Sequence, residues 1–476
     1  MDFKTASQES QQKGILYLAG VCIATTVGGF LFGYDTAVIS GGIDFIEQQF
    51  SLTDDMKGWV VSSVLFGCII GSAMSGVMAD RFGRKSVLLL SSVLLLLSAA
   101  GSMLAQTVTQ LIYARLLGGL GVGITAMASP MYMSEISPAH FRGRMVSLYQ
   151  LAITIGIVCS FLVNSALLKH SQVNIASAGE DFWHWVTVTQ VWRGMFGAEI
   201  IPAVIYTVLL LYIPESPRWL IRQGSVERAR RILKHVMTNE QVEQSVSDVN
   251  KAVSHESNSV FELFRPGFRV ALFIGIALPL FSQFSGINVV MYYGPTLLKD
   301  VGFEMGGAMG GAILVGIINC LFTGIAIWKV DSFGRRPLLI TGVAGAFISL
   351  AVAAFLFSIS SVPNAWKLVP LLTYCACFSF SYGPVCWVII GEIFPTRYRG
   401  RAVSIATAAI WLGAFAVSQL FPRMLSYFGA AGCFGIYACL TAVALVFIYF
   451  IVQETKGRTL EQIEQAWTKI SLSSRD

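Results

Sequence analysis

Apolar residues in this chain gather into long runs, and short polar segments punctuate them. A helix needs roughly 20 apolar residues to cross a bilayer core. Twelve runs meet that length, near 15–40, 58–79, 86–105, 109–133, 145–168, 192–213, 269–297, 307–330, 337–358, 367–391, 402–425 and 430–452. The pattern predicts an all-α membrane protein with twelve transmembrane helices. One long polar stretch interrupts it, from Glu215 to Arg265. There Glu227 and Arg231 stand four apart within a mixed charged face, which predicts short amphipathic helices on or beside the membrane. The start, Met1 to Lys13, is polar, and the run behind it is too long for the apolar core of a cleavable signal.

Composition agrees. Charged residues make up 13% of the 476 residues and hydrophobic ones 55%. A soluble chain carries about 25% charged residues, so this one cannot cover a water-exposed surface of its size. The net charge of +6 is not gathered into a nucleic-acid-binding stripe. It sits in short loops: eleven basic residues, including Arg81, Arg84, Arg142 and Arg335, follow even-numbered runs, against five after odd-numbered runs. Basic loops stay in the cytoplasm, so both termini are expected inside. The nine cysteines all lie in apolar surroundings and read as small buried hydrophobes, with no disulfide frame, metal site or cofactor expected. The absence of an N-x-S/T acceptor favours a bacterial inner membrane over a glycosylated surface.

The two halves repeat. Asp80-Arg81-Phe82-Gly83-Arg84-Lys85 returns as Asp331-Ser332-Phe333-Gly334-Arg335-Arg336, 251 residues on (80 to 331). Glu135 with Arg142-Gly143-Arg144 returns as Glu392 with Arg399-Gly400-Arg401, 257 residues on (135 to 392). Gly33-Tyr34-Asp35 aligns with Gly286-Ile287-Asn288, 253 residues on (35 to 288), and Pro214-Glu215-Ser216 aligns more weakly with Gln453-Glu454-Thr455. Nearly constant offsets imply two six-helix bundles related by an axis along the membrane normal, with a site between them near the midplane. The expected division is 1–214 and 267–453 for the bundles, 215–266 for a cytoplasmic helical linker and 454–476 for a tail.

Three ionisable residues fall well inside predicted crossings: Asp35, Arg115 and Glu199. A charge there costs about 2.5–3.5 kcal/mol on insertion scales, so it needs a partner or a role. One reading is a proton switch, in which Asp35 pairs with Arg115 when ionised and releases it when protonated. The plainer one is a static buried ion pair. The second half offers amides and aromatic rings instead. Gln283, Asn288, Tyr292 and Tyr293 flank a Ser285-Gly286 break, and Asn319, Trp387 and Trp411 lie in later crossings. Amides that donate and accept, with aromatic faces for C–H surfaces, suit a neutral polyol. The same amides also serve as glue between helices. The glycines at 118, 119, 121 and 123 read as a tight helix-packing face, since no phosphate-binding Lys-Ser follows them.

Five segments resemble the sugar porter family of the major facilitator superfamily: Gly76 to Lys85, Pro214 to Trp219, Gln283 to Asn288 with Tyr292-Tyr293, Gly383 to Trp387, and Glu454 to Arg458. Gly33-Tyr34-Asp35-Thr36 resembles the bacterial proton–sugar, xylose-type symporters within it. The resemblance implies the major facilitator fold and supports proton coupling at Asp35, Arg115 and Glu199. It also implies a monosaccharide site made of Phe32, Gln150, Gln283, Asn288, Tyr292, Asn319, Gly383, Trp387 and Trp411. The cytoplasmic motifs, Asp80, Arg84, Glu135, Arg142 and Glu215 with Arg335, Glu392, Arg399 and Glu454, read as gating salt bridges or as charges that only fix topology; Asp80 is expected near a helix N-terminus. Two positions depart from the family pattern: Ser282 stands where a second glutamine is common, and Ile410 where a polar residue precedes the tryptophan.

The expected function is proton-coupled symport of a pentose or hexose such as xylose or glucose, by alternating access in a functional monomer with a proton, a monosaccharide and the bilayer as partners. A facilitative uniporter and a proton-coupled cyclitol transporter are the alternatives. A sugar receptor lacks an output module after the last crossing, the five histidines form no metal cluster, and an ATP-driven pump lacks its phosphate loop.

Overall fold

The computed structural model describes residues 3–175, 181–255, 269–300, 302–359, 361–394 and 399–454, and these are almost wholly helical. The first half contains α1 (Phe3–Phe50), α2 (Asp54–Phe82), α3 (Arg84–Leu104), α4 (Val108–Ile136) and α5 (Ala139–Asn174). A short α6 (Phe182–His184) and a π-helical turn lead into α7 (Val191–Gly197) and α8 (Ile200–Tyr212), which together make the sixth crossing. Then come three short helices, α9 (Pro217–Arg222), α10 (Val226–Leu233) and α11 (Asn239–His255), in the expected linker. The second half contains α12 (Arg269–Phe284), α13 (Ile287–Asp300), α14 (Met305–Phe333), α15 (Arg335–Ser358), α16 (Asn364–Phe380), α17 (Tyr382–Ile393) and α18 (Arg399–Ile451).

Eleven described stretches are long and apolar enough to cross a membrane. The last, Ala402–Ile451, has 50 residues. At about 1.5 Å per residue it is some 75 Å long, enough for two crossings. It breaks at Gly429 (φ 64°, ψ 176°), which turns the chain back and restores the expected twelve crossings in two bundles. Gly83 (φ 92°) and Gly334 (φ 91°) make the matching sharp turns after α2 and α14, in a backbone region that only glycine enters without strain.

Within the first half α2 and α3 pack on α4, and α1 packs on α5; within the second α12 and α15 pack on α18, and α14 and α15 pack on α16. The glycine face of α4 is the tight seam expected of it. A Cβ on Gly119 would overlap the backbone of Val64, and one on Gly123 would meet the backbone of Cys68 and Ser72. The halves touch through α1 with α13, α2 with α18, and α5 with α14.

Two expectations change. The first crossing was expected to end near residue 40, yet α1 stays helical to Phe50. Its polar end carries Asp44 and Glu47, and tertiary partners neutralise both: Lys299 for Asp44 and Lys57 for Glu47. In the linker, Glu227 pairs with Arg230 at i,i+3 and not with Arg231, and Arg230 also reaches Glu243 on α11.

Candidate functional site

Local packing sets the position of Asp35. Gly33, two residues earlier, lies so close to α5 that a Cβ there would overlap the backbone of Ile153, and Gly156 meets Phe30 in the same way. This backbone contact holds the middle of α1 inside the first bundle. Asp35 is 4% exposed, Arg115 on α4 fully buried, and Glu199 between α7 and α8 is 2% exposed. The three predicted ionisable residues therefore converge. Arg115 Nη1 stands 3.6 Å from Asp35 Oδ1, close enough for attraction and too far for a hydrogen bond. Arg115 Nε donates to the Val60 carbonyl at 2.9 Å, and its guanidinium lies 5.6 Å over the Phe196 ring. Glu199 is within electrostatic reach of both Asp35 and Arg115. Among the described residues, neither Nη atom of Arg115 has a hydrogen-bond partner. One guanidinium thus lies loosely against Asp35 and within the electrostatic reach of Glu199, an arrangement in which a proton's arrival changes which contacts are favourable.

Polar groups line the other side of α1. The seventh crossing breaks at Ser285-Gly286, where Gly286 takes φ 88° and Tyr437 packs against it. Tyr374 Oη donates to the Ser285 carbonyl at 2.9 Å and steadies the break. Asn288 Nδ2 donates to Gln283 Oε1 at 2.7 Å, and both side chains are half-buried. Phe32 and Trp411 bring their rings to 5.4 Å across the two halves. Asn319 Oδ1 and Trp411 Nε1, one acceptor and one donor, are buried with no hydrogen-bond partner among the described residues. Tyr292 is buried, Gln150 and Gly383 are half-buried, and Trp387 is 38% exposed. Ile410 packs into the apolar core of the second half and offers no polar group.

At the end of the bundle bearing Asp55, polar contacts cross between the halves. Lys299 Nζ lies 2.7 Å from Asp44 Oδ2, and Thr296 Oγ1 donates to Asp44 Oδ1 at 2.9 Å. Arg423 pairs with Asp55 at 2.5 Å, Ser426 donates to Asp54, and Ser62 donates to Gln419 at 2.7 Å. Asp44, Thr296, Lys299, Asp54 and Ser426 edge a cavity of about 380 Å³ that Glu47, Lys57, Tyr293 and Asp300 also line. The sequence reading missed the Asp44–Lys299 clasp, because the first lay beyond the predicted edge of its crossing and the second at a loop. A charge of each sign just past the ends of the first and seventh runs was the available signal. It also missed Arg193, a buried cation set between the rings of Trp185 and Trp192 at 4.5 and 4.4 Å.

At the opposite end, bearing Gly83 and Gly334, the described ion pairs each stay inside one half. Arg84 Nε lies 3.0 Å from Glu135 Oε2, and Arg335 Nη2 lies 2.9 Å from Glu392 Oε1. Ser216 Oγ also donates to Glu135. The anion at the start of α3 is Glu215, not Asp80. Glu215 accepts from the backbone N–H groups of Arg84 and Lys85, whereas Asp80 sits in the last turn of α2 beside Arg84 and Arg222. Glu454 accepts from the N–H groups of Arg335 and Arg336 in the same way. The side chains of Arg142 and Arg399 lie outside the described residues.

Comparison with known proteins agrees with this architecture. The profile of the family described as sugar (and other) transporter matches residues 21–467. The D-xylose-proton symporter of Escherichia coli (strain K12) is 38% identical over 95% of this chain and 96% of its own length. The arabinose-proton symporter of Bacillus subtilis (strain 168) is 37% identical over 94% and 95%, and the glucose transport protein of Synechocystis sp. 38% over 95% and 97%. Among solved structures, a partially occluded inward open conformation of the E. coli xylose transporter XylE superposes with TM-score 0.80 at 37% identity, covering 93% of this chain and 99% of that one. XylE bound to 6-bromo-6-deoxy-D-glucose superposes with TM-score 0.78 at 37% identity, covering 95% and 100%. With the family profile spanning nearly all of the sequence and relatives matched end to end, the chain belongs to the sugar (and other) transporter family.

Proposed function

We propose that this protein is a proton-coupled monosaccharide symporter working by alternating access, with no chemical step on the sugar. The observation that carries the reading is the buried Asp35–Arg115–Glu199 group, whose Asp35 lies on the α1 segment whose Phe32 ring meets Trp411 of the other half. A carboxylate almost wholly buried in the first half, on the helix that meets the second, has a reason to exist if it trades a proton as the halves move. Relatives that carry xylose or arabinose with protons support the same reading.

In this mechanism Asp35 is the proton acceptor, Arg115 the counter-charge it holds or releases, and Glu199 the second carboxylate that takes up Arg115. Gln150, Gln283, Asn288, Tyr292, Asn319, Gly383 and Trp387 hold the sugar with Phe32 and Trp411. The Gly83 end faces the cytoplasm, as the basic loops favour, and the contacts at the Asp55 end close the outer side. The state is then inward-facing. The ion pairs Arg84–Glu135 and Arg335–Glu392, with Arg142 and Arg399, form the inner gate that rearranges in the other state. Residues 1–214 and 267–453 move as the two bundles about the 215–266 linker, in a monomer within a bacterial inner membrane with both termini inside.

Purified protein in proteoliposomes with an inward proton gradient tests this. Uphill uptake of D-xylose, L-arabinose or D-glucose is the expected result, with sugar-evoked alkalinisation of the outer medium. Downhill sugar flux that ignores the gradient leaves a uniporter. Because Ser282 and Ile410 offer less hydrogen-bonding reach than the family pattern, the panel includes a cyclitol, myo-inositol.

A further inference from the structure

We propose that Ser282 is a positioning residue that fixes the orientation of the Gln283 amide, and through it the polarity that Asn288 presents to the sugar. This rests on the sugar-transport reading above and names a specificity determinant within that site.

The argument is directional. Ser282 is 3% exposed, and its hydroxyl donates its one proton to the Pro279 carbonyl at 2.7 Å. Its oxygen is left only as an acceptor. Gln283 Nε2 lies 3.1 Å from that oxygen, so the amide must point its N–H there. Gln283 Oε1 then faces the other way and accepts from Asn288 Nδ2 at 2.7 Å. That bond takes one of the two N–H groups of Asn288 and fixes which edge of its amide turns to Gln283, so its Oδ1 and its second N–H are left in set places to meet a ligand. The stem of Gln283 is pinned too, since a Cβ on Gly413 of α18 would lie 3.1 Å from Gln283 Cβ. Little freedom remains except an amide flip, and the Ser282 hydroxyl is what decides the flip. A glutamine at 282 would itself reach toward a ligand; a serine orients its neighbour. The sugar hydroxyl that meets Asn288 Oδ1 must therefore donate its proton.

Fluorine in place of a sugar hydroxyl cannot donate, which gives the test. Wild type, Ser282→Ala and Ser282→Thr are compared in proteoliposomes, using D-glucose or D-xylose, whichever the wild type carries, and the corresponding series of deoxyfluoro sugars as competitors. In wild type, one fluoro position is expected to compete far more weakly than the parent sugar. Ser282→Ala should raise KM about tenfold, leave kcat within twofold, and bring that fluoro-to-parent ratio down toward one, because the amide can now turn over. Ser282→Thr keeps a hydroxyl that can bond the same carbonyl and should restore both values. Thermal unfolding of all three in detergent identifies any loss that comes from folding. A folded Ser282→Ala protein with wild-type KM and wild-type fluoro discrimination overturns the inference while sugar transport stands. A wild type that carries no sugar of the panel overturns both.

Discussion

Glu215 and Glu454 occupy the same place in the two halves of the molecule. Glu215 Oε1 accepts from the first two backbone N–H groups of α3, at 2.8 and 3.1 Å; Glu454 accepts from the first two of α15, both at 3.1 Å. The motif offsets in the sequence are 251 to 257, whereas these two residues stand 239 apart (215 to 454), because the stretch from Glu135 to Glu215 is 80 residues long (135 to 215) and that from Glu392 to Glu454 only 62 (392 to 454). A carboxylate at a helix N-terminus gains from the unpaired N–H groups and from the helix dipole, up to about 2 kcal/mol where it is partly buried.

Glu215→Gln and Glu454→Gln should therefore each lower the stability of the folded protein by roughly 1 kcal/mol, and the two should add, since they act in separate bundles. Thermal unfolding in detergent measures this. A loss from one variant and none from the other would show that the halves are equivalent in sequence only.

Asp35→Asn should abolish uphill uptake and leave sugar counterflow largely intact, because the variant resembles the protonated state permanently. Wild-type uptake should fall as external pH rises, since a proton must first be bound from outside. In Asp35→Asn that dependence should flatten. Counterflow and gradient-driven uptake across a pH series give both readouts, and a pH-steep Asp35→Asn protein would refute the assignment.

Arg115 balances two buried carboxylates at once. Arg115→Met leaves Asp35 and Glu199 facing each other without a counter-charge, a change that costs about 3–5 kcal/mol when one partner of a buried pair is removed. Adding Asp35→Asn and Glu199→Gln to it should recover much of that loss. Equal instability of the single and triple variants in thermal unfolding would mean that Arg115 serves chiefly through its bond to Val60 or its contact with Phe196.

Asp44→Asn removes the charge from the clasp with Lys299, which joins α1 to α13 across the halves. A partly exposed pair of this kind contributes up to about 1 kcal/mol, equivalent to roughly fivefold in the balance between closed and open outer sides. A cysteine placed at Leu425, in the wall of the cavity beside this clasp, should then react a few times faster with an impermeant maleimide, added to the side proposed as outer. Unchanged reactivity, with Arg423→Ala also without effect, would show that apolar packing alone holds that side shut.

The sequence by itself determined the twelve crossings, the two-fold repeat and the break at Gly286. Crossings follow from run length alone, and a Ser-Gly pair among amides and rings inside a long run marks the break, since glycine weakens a helix. It also singled out Asp35, Arg115 and Glu199, since a charge in an apolar run is conspicuous wherever its partner lies. Only the tertiary structure decided which charges meet. Asp44 with Lys299, and Glu215 rather than Asp80 at the start of α3, depend on how helices far apart in the chain cross. A loop charge looks the same in sequence whether it faces water, a helix end or an opposite charge. Likewise Ser282 appears in the sequence as a shortened side chain, and becomes an orienting group only once its hydroxyl is seen to be spent on Pro279. Burial decides crossings residue by residue, whereas hydrogen-bond direction is a property of neighbours in space.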